Sequence, residues 1–195
     1  MWLDHLILFL GWALFYSLHS ILLLEKVKNK IGLKPRTYRV LYNSISFLLI
    51  VAVLFVGAII PSPLIFKPSP VAFYAGLMLS TVGIFVIKRA FRNYSTGVFL
   101  GIKKEGDNPE LKMEGLQSRI RHPLYTGTLM IFIGYFVYNP LLSSAVTLIS
   151  LFIYLPIGIR LEEQKLIKKF GEQYLSYKRN VPSLFPKITF SKSQS

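Results

Sequence analysis

Five apolar stretches divide this sequence, at about Leu6–Leu24, Val40–Ile60, Val71–Ile87, Leu124–Tyr138 and Leu141–Ile159. A helix needs about 20 apolar residues to cross a hydrocarbon core of roughly 30 Å. In that solvent every backbone N–H and C=O must be satisfied within the segment. The stretches therefore predict an all-α, polytopic membrane protein of about five transmembrane helices. The fourth stretch is short, and only Asn139 and Pro140 separate it from the fifth, so the two read as a tight helical hairpin. The first has no basic flank and no small-residue cleavage site, and it reads as a span rather than a signal peptide.

Charge supports the same class. The 195 residues carry 23 Lys and Arg against 9 Asp and Glu, a formal net charge of +14, yet 52% are hydrophobic and 16% charged. A disordered basic tail would be poor in apolar residues, and a soluble nucleic-acid binder would spread its charge over a polar surface. Cysteine is absent, which excludes disulfides, thiolate catalysis and thiolate metal sites. Six basic residues lie in Glu25–Arg39, eight in Lys88–Arg121 and eight from Arg160 onward, so 22 of 23 fall on one side of a five-span chain. Lys67 is the exception. The positive-inside rule makes that side cytoplasmic, with the N-terminus outside and the C-terminus inside. Five spans in this arrangement suit a prokaryotic inner membrane. Most of the lysines serve orientation and contact with anionic lipid headgroups.

Three clusters carry more than topology. Glu162 and Glu163 follow the fifth stretch directly, and Arg160 stands one helical turn before Glu163. Carboxylates at a membrane boundary are paired, hydrated or functional, and spacing leaves a helix-end ion pair and a working site equally open. The second cluster is Arg121-His122-Pro123-Leu124-Tyr125-Thr126-Gly127. Pro123 suits a first helical turn, which puts Arg121 and His122 at a helix N-terminus, where amides and dipole favour an anion. In the third, Leu166, Phe170, Tyr174, Tyr177 and Val181 form one apolar stripe beside a lysine-rich face. That pattern predicts a C-terminal interfacial amphipathic helix, with Gly171 as a point of interruption or of close approach by another backbone.

His5 reads as a polar flank. His19, near the basic end of the first span, is either functional or bonded to a neighbouring helix, with Asn43, Ser44 and Ser46 as available partners. Three histidines so dispersed make no metal site. No G-x-G-x-x-G or P-loop spacing occurs.

Gly115, the Arg121–Gly127 run, Arg160-Leu161-Glu162-Glu163, Phe170-Gly171-Glu172-Gln173-Tyr174-Leu175-Ser176-Tyr177 and Val181-Pro182 together resemble the isoprenylcysteine carboxyl methyltransferase family. These enzymes belong to a wider group of integral-membrane methyltransferases. The resemblance divides a single membrane domain, 1–195, into a three-span part (1–96), a methyltransferase-like part (97–186) and a tail (187–195). It implies S-adenosylmethionine (SAM) bound on the cytoplasmic side. Leu111, Lys112, Gln117, Arg121, His122, Pro123, Leu124 and Tyr125 would line the cofactor, and Glu162 would hold its amino group. Arg160 and Glu163 would face the reaction, with Arg160 toward an anionic substrate. The expected partners are membrane lipids and a lipophilic or small acceptor: a prenylcysteine carboxylate, an amine lipid or a thiol. A sterol-type reductase using NADPH, or a non-catalytic membrane protein, are the alternative readings.

Overall fold

A computed structural model describes residues 1–92, 97, 102 and 110–187. The basic residues Lys103, Lys104 and Lys192 and the Ser/Lys tail at Ser191–Ser195 lie outside the described residues. Seven α-helices are described: α1 (Trp2–Ile21), α2 (Glu25–Ile31), α3 (Pro35–Ile59), α4 (Pro70–Phe91), α5 (Pro123–Tyr138), α6 (Leu142–Phe170) and α7 (Glu172–Asn180). A short 3₁₀ turn, Gly115–Ser118, precedes α5. Among the described residues, extended pairing is limited to an isolated bridge between Leu64 and Leu141.

Local chemistry explains the boundaries. Helices α3, α4 and α5 open on Pro35, Pro70 and Pro123, where a missing N–H costs nothing. Ser69 caps α4 by accepting from the Ala72 N–H at 3.1 Å. Gly32 closes α2 in the left-handed region at φ 68°.

Each of the five apolar stretches lies on its own long helix. By length and composition α3, α4 and α6 are able to cross a membrane, and α1 joins them when taken with α2, from which it is bent by 76°. Helix α5 has 16 residues, which at 1.5 Å per residue gives about 24 Å, less than the core thickness.

The helices run between two ends. At one end His5 Nε2 meets Ser62 Oγ at 3.0 Å, and Ser62 Oγ accepts from the Ser143 N–H at 2.8 Å. The Leu142 N–H also donates to Pro63 O there. At the other, basic end Tyr38 donates to Leu22 O at 2.6 Å, and Lys168 pairs with Glu25 at 2.6 Å.

Two kinds of packing hold the helices together. Trp12 is fully buried with Leu8, Phe15 and Val53, touches Phe132 edge-on, and donates its indole N–H to Thr147 Oγ1 at 3.1 Å. Helices α4 and α5 meet instead along glycines. A Cβ on Gly76 would lie 2.5 Å from Gly134 O, and one on Gly83 would lie 2.6 Å from Gly127 O. Without a hydrophobic drive between helices in lipid, such backbone contact supplies the packing energy. Outward faces stay apolar, with Phe47, Leu48, Phe55, Val71 and Met78 all more than half exposed, as a lipid-facing surface requires.

Candidate functional site

Four segments converge at the basic end: the 3₁₀ turn, the start of α5, the charged end of α6, and α7 with the strap after it. Gly171 makes this possible. With φ 54° and ψ −131°, a conformation that favours glycine, it ends α6 and starts α7. The amphipathic helix expected from the sequence is thus cut at Gly171. Its Tyr174 and Tyr177 turn inward and are buried.

Glu163 lies at the centre, its side chain 7% exposed. Its Oε1 accepts from Arg121 Nε at 2.9 Å and Nη2 at 2.7 Å, and lies 3.2 Å from His122 Nε2. Its Oε2 pairs with Lys178 Nζ at 2.6 Å. Arg121 also donates through Nη1 to Lys178 O at 3.1 Å and to Val181 O. Four of the five guanidinium N–H groups are thereby engaged within the protein. The strap 182–184 lies over the start of α5: Arg121 and His122 N–H donate to Pro182 O and Ser183 O at 2.9 and 3.0 Å, and Thr126 Oγ1 donates to Leu184 O at 2.7 Å.

Glu162 differs from its neighbour. Its side chain is 49% exposed and lies 3.4 Å from Nδ1 of the buried His122. The His122 ring thus stands between the two carboxylates, with Tyr125 tilted against it at 5.6 Å. Burial pushes the Tyr174 phenol up, as does the nearby Glu163 carboxylate, against the pull of Arg121. The Tyr174 hydroxyl and Ser183 Oγ are buried without a hydrogen-bond partner.

The structure brings together Arg121, His122, Pro123, Leu124, Tyr125, Glu162 and Glu163. Gln117 lies at the same end as a buried strut, its amide 3.5 Å from Ala90 O and its carbonyl accepting from the Tyr177 hydroxyl at 2.5 Å. Lys112 is half exposed and pairs with Glu110 at 3.5 Å, next to half-buried Leu111. Exposed Arg160 borders a groove of about 400 Å³ with Pro156, Ile159, Glu163, Gln164, Ile167 and Lys178. Sequence reasoning missed Lys178 and the buried Tyr174 hydroxyl. The one signal for Lys178 was its place on the helix after Gly171, where it read as one lysine of a solvated face.

Among the described residues, no group of three or more His, Asp or Glu is placed to hold a metal ion. The site can instead receive a zwitterion. A half-exposed carboxylate offers a place for an ammonium, and the first turn of α5 has N–H groups without intrahelical acceptors.

The family described as NnrU protein matches residues 7–187. Methanethiol S-methyltransferase 1 of Bradyrhizobium diazoefficiens is 39% identical over 87 residues, covering 44% of this chain and 29% of that protein. Methanethiol S-methyltransferase of Pseudomonas deceptionensis is 38% identical over 80 residues, 37% of this chain and 27% of that protein. Its namesake in Crocosphaera subtropica is 29% identical over 119 residues, 60% and 45% respectively. The chain therefore spans less than half the length of these relatives. No solved structure matches it. The family and these relatives fall in the isoprenylcysteine carboxyl methyltransferase-like group of membrane methyltransferases that the motif order resembles.

Proposed function

The chain belongs to the NnrU protein family, and we propose that it is an integral-membrane methyltransferase moving a methyl group from SAM to a small or lipophilic acceptor, a small thiol foremost. The relatives' names support the thiol. The single observation that carries the reading is Glu162, a half-exposed carboxylate held beside buried His122 at the mouth of a saturated ion cluster.

The residues present fit SAM. Its ammonium would pair with Glu162, and its carboxylate would meet the first turn of α5 at Leu124 and Tyr125. The unpartnered Tyr174 hydroxyl and Ser183 Oγ supply buried polar atoms at the same place. SAM brings an electrophilic methyl group on a sulfonium. The chain's own part is to hold the two reactants in line and exclude water. Glu163 then acts by position: it fixes His122, Arg121 and Lys178 and leaves Glu162 exposed. Arg160, on the groove, would border the acceptor's entry from the lipid. Leu111 and Lys112 would border the cofactor from the 3₁₀ side.

The one-sided basic charge supports an orientation with this end in the cytoplasm and the N-terminus outside, in a prokaryotic inner membrane. Calorimetry with S-adenosylhomocysteine (SAH) on the detergent-solubilised protein tests the reading. Wild type is expected to bind, and Glu162→Ala and His122→Ala each to weaken binding at least tenfold, about 1.4 kcal/mol. No binding by wild type, NADPH binding in its place, or unchanged binding in both variants would overturn it.

A further inference from the structure

We propose that His19 is the group that takes the proton from the acceptor thiol, and that the hydroxyl cage around it is the acceptor's subsite. The proposal rests on the methyltransferase reading above. A thiolate, not a thiol, is the nucleophile, and a simple alkyl thiol, a weaker acid than the cysteine side chain at about 8.5, is mostly protonated at neutral pH. A base titrating near neutrality, above all histidine, is the residue suited to the task.

The chain has three histidines. His5 lies at the opposite end, bonded to Met1 O at 2.6 Å and to Ser62. His122 stands between two carboxylates. His19 contacts neutral hydroxyls. Its Nδ1 lies 3.2 Å from Ser46 Oγ, and the Tyr42 hydroxyl lies 2.9 Å from each ring nitrogen.

The cage is continuous with the site. Ser20, next in the chain, bonds the Tyr154 hydroxyl at 3.1 Å, and Tyr16 stacks on Tyr154 at 4.1 Å and 10°. One turn beyond Tyr154, a Cβ on Gly158 would lie 2.9 Å from the Tyr154 ring and 3.2 Å from the Tyr125 hydroxyl. Gly158 is thus where the two tyrosines come together. Tyr125 in turn packs against the His122 ring at 5.6 Å, and His122 lies 3.4 Å from Glu162. Helices α1, α3, α5 and α6 therefore build one wall from His19 to the proposed cofactor carboxylate. Tyr42 from α3 contacts His19 directly, and the charge of Lys165 on α6 acts on it. From α1, Phe15 packs against the His19 ring at 5.6 Å. The ligand class is a small neutral thiol able to enter through lipid.

The step balances. The thiol S–H bond breaks and its proton passes to a ring nitrogen of His19. The freed sulfur pair forms the S–C bond to the donor's methyl carbon as the donor's C–S⁺ bond breaks, giving two neutral thioethers. His19 then returns the proton to water.

Purified His19→Ala and His19→Gln, assayed with an alkyl thiol and a more acidic aryl thiol over a range of pH, test the proposal. SAH affinity is expected to stay within twofold of wild type. Turnover of the alkyl thiol at pH 7 is expected to fall about 100-fold, and the deficit to shrink below tenfold for the aryl thiol and at high pH. In SAH-loaded wild type, dimethyl sulfide should slow modification of His19 by diethyl pyrocarbonate, read by peptide mass, and leave His5 unaffected. Near-normal alkyl-thiol turnover in either variant, or a deficit independent of thiol acidity and pH, overturns the assignment. Should His19→Ala misfold, His19→Gln, which keeps a hydrogen-bonding side chain, decides alone. A wild type that binds no SAH fails at the underlying reading, an outcome distinct from failure of the His19 assignment.

Discussion

A helix turns about 100° per residue, so the adjacent Glu162 and Glu163 point in different directions and do different work. Glu163 points at α5 and α7 and receives Arg121, His122 and Lys178, whereas Glu162 stays half exposed. Removing one partner from a buried ion cluster leaves the other charges uncompensated, at a cost of several kcal/mol. Glu163→Gln is therefore expected to destabilise the detergent-solubilised protein by about 3 kcal/mol, read as a drop in thermal midpoint. Glu162→Gln should leave the midpoint within a degree or two and act on SAH binding alone. Equal midpoints for the two variants would contradict this division of roles. The sequence showed both glutamates as candidates, but spacing has no means of telling which one faces the protein.

Among the elements, the α4–α5 pair depends most on absent side chains. Gly76 and Gly83 face Gly134 and Gly127 two turns apart, and a Cβ at any of them would meet backbone or a packed side chain at under 3 Å. Gly134→Ala is expected to cost about 1–3 kcal/mol by forcing the helices apart. Gly57→Ala, whose nearest neighbour is a Leu8 methyl at 3.4 Å, should be nearly neutral. A melt in which Gly57→Ala is the worse of the two would refute the seam. This pairing also positions the site, because α5 begins at Pro123, directly after His122, and α4 ends beside the Gln117 strut. The apolar stretch predicted both helices well. The glycine register was also visible in the sequence, but the partner of each glycine depends on how two helices cross. The C-terminal stripe predicted an amphipathic helix open to interruption at Gly171. A positive φ at Gly171 divides it, and only packing shows that its tyrosines bury against the site rather than against lipid.

For the molecule as a whole, the two ends differ in charge and in contacts. His5, Ser62 and Ser143 join at one, and the basic loops, the ion cluster and the His19 cage gather at the other. Because cysteine is absent, any single introduced cysteine reports its own side. Lys67→Cys, in the exposed linker, is expected to react with a membrane-impermeant maleimide added outside intact cells. Lys30→Cys, on α2, should react only after permeabilisation. The opposite pattern would reverse the proposed orientation.

The sequence by itself determined the class, the five apolar helices and the side on which charge collects, because hydrophobic length and basic residues act locally and need no partner. It also marked Arg121, His122, Glu162 and Glu163 by their order. Tertiary structure alone decided that Arg121 is engaged within the protein, that Glu163 is buried and Glu162 open, and that His19 shares a wall with the site. Those outcomes depend on the rotation and crossing of helices far apart in the chain, which are set by packing between them and not by the period of any one.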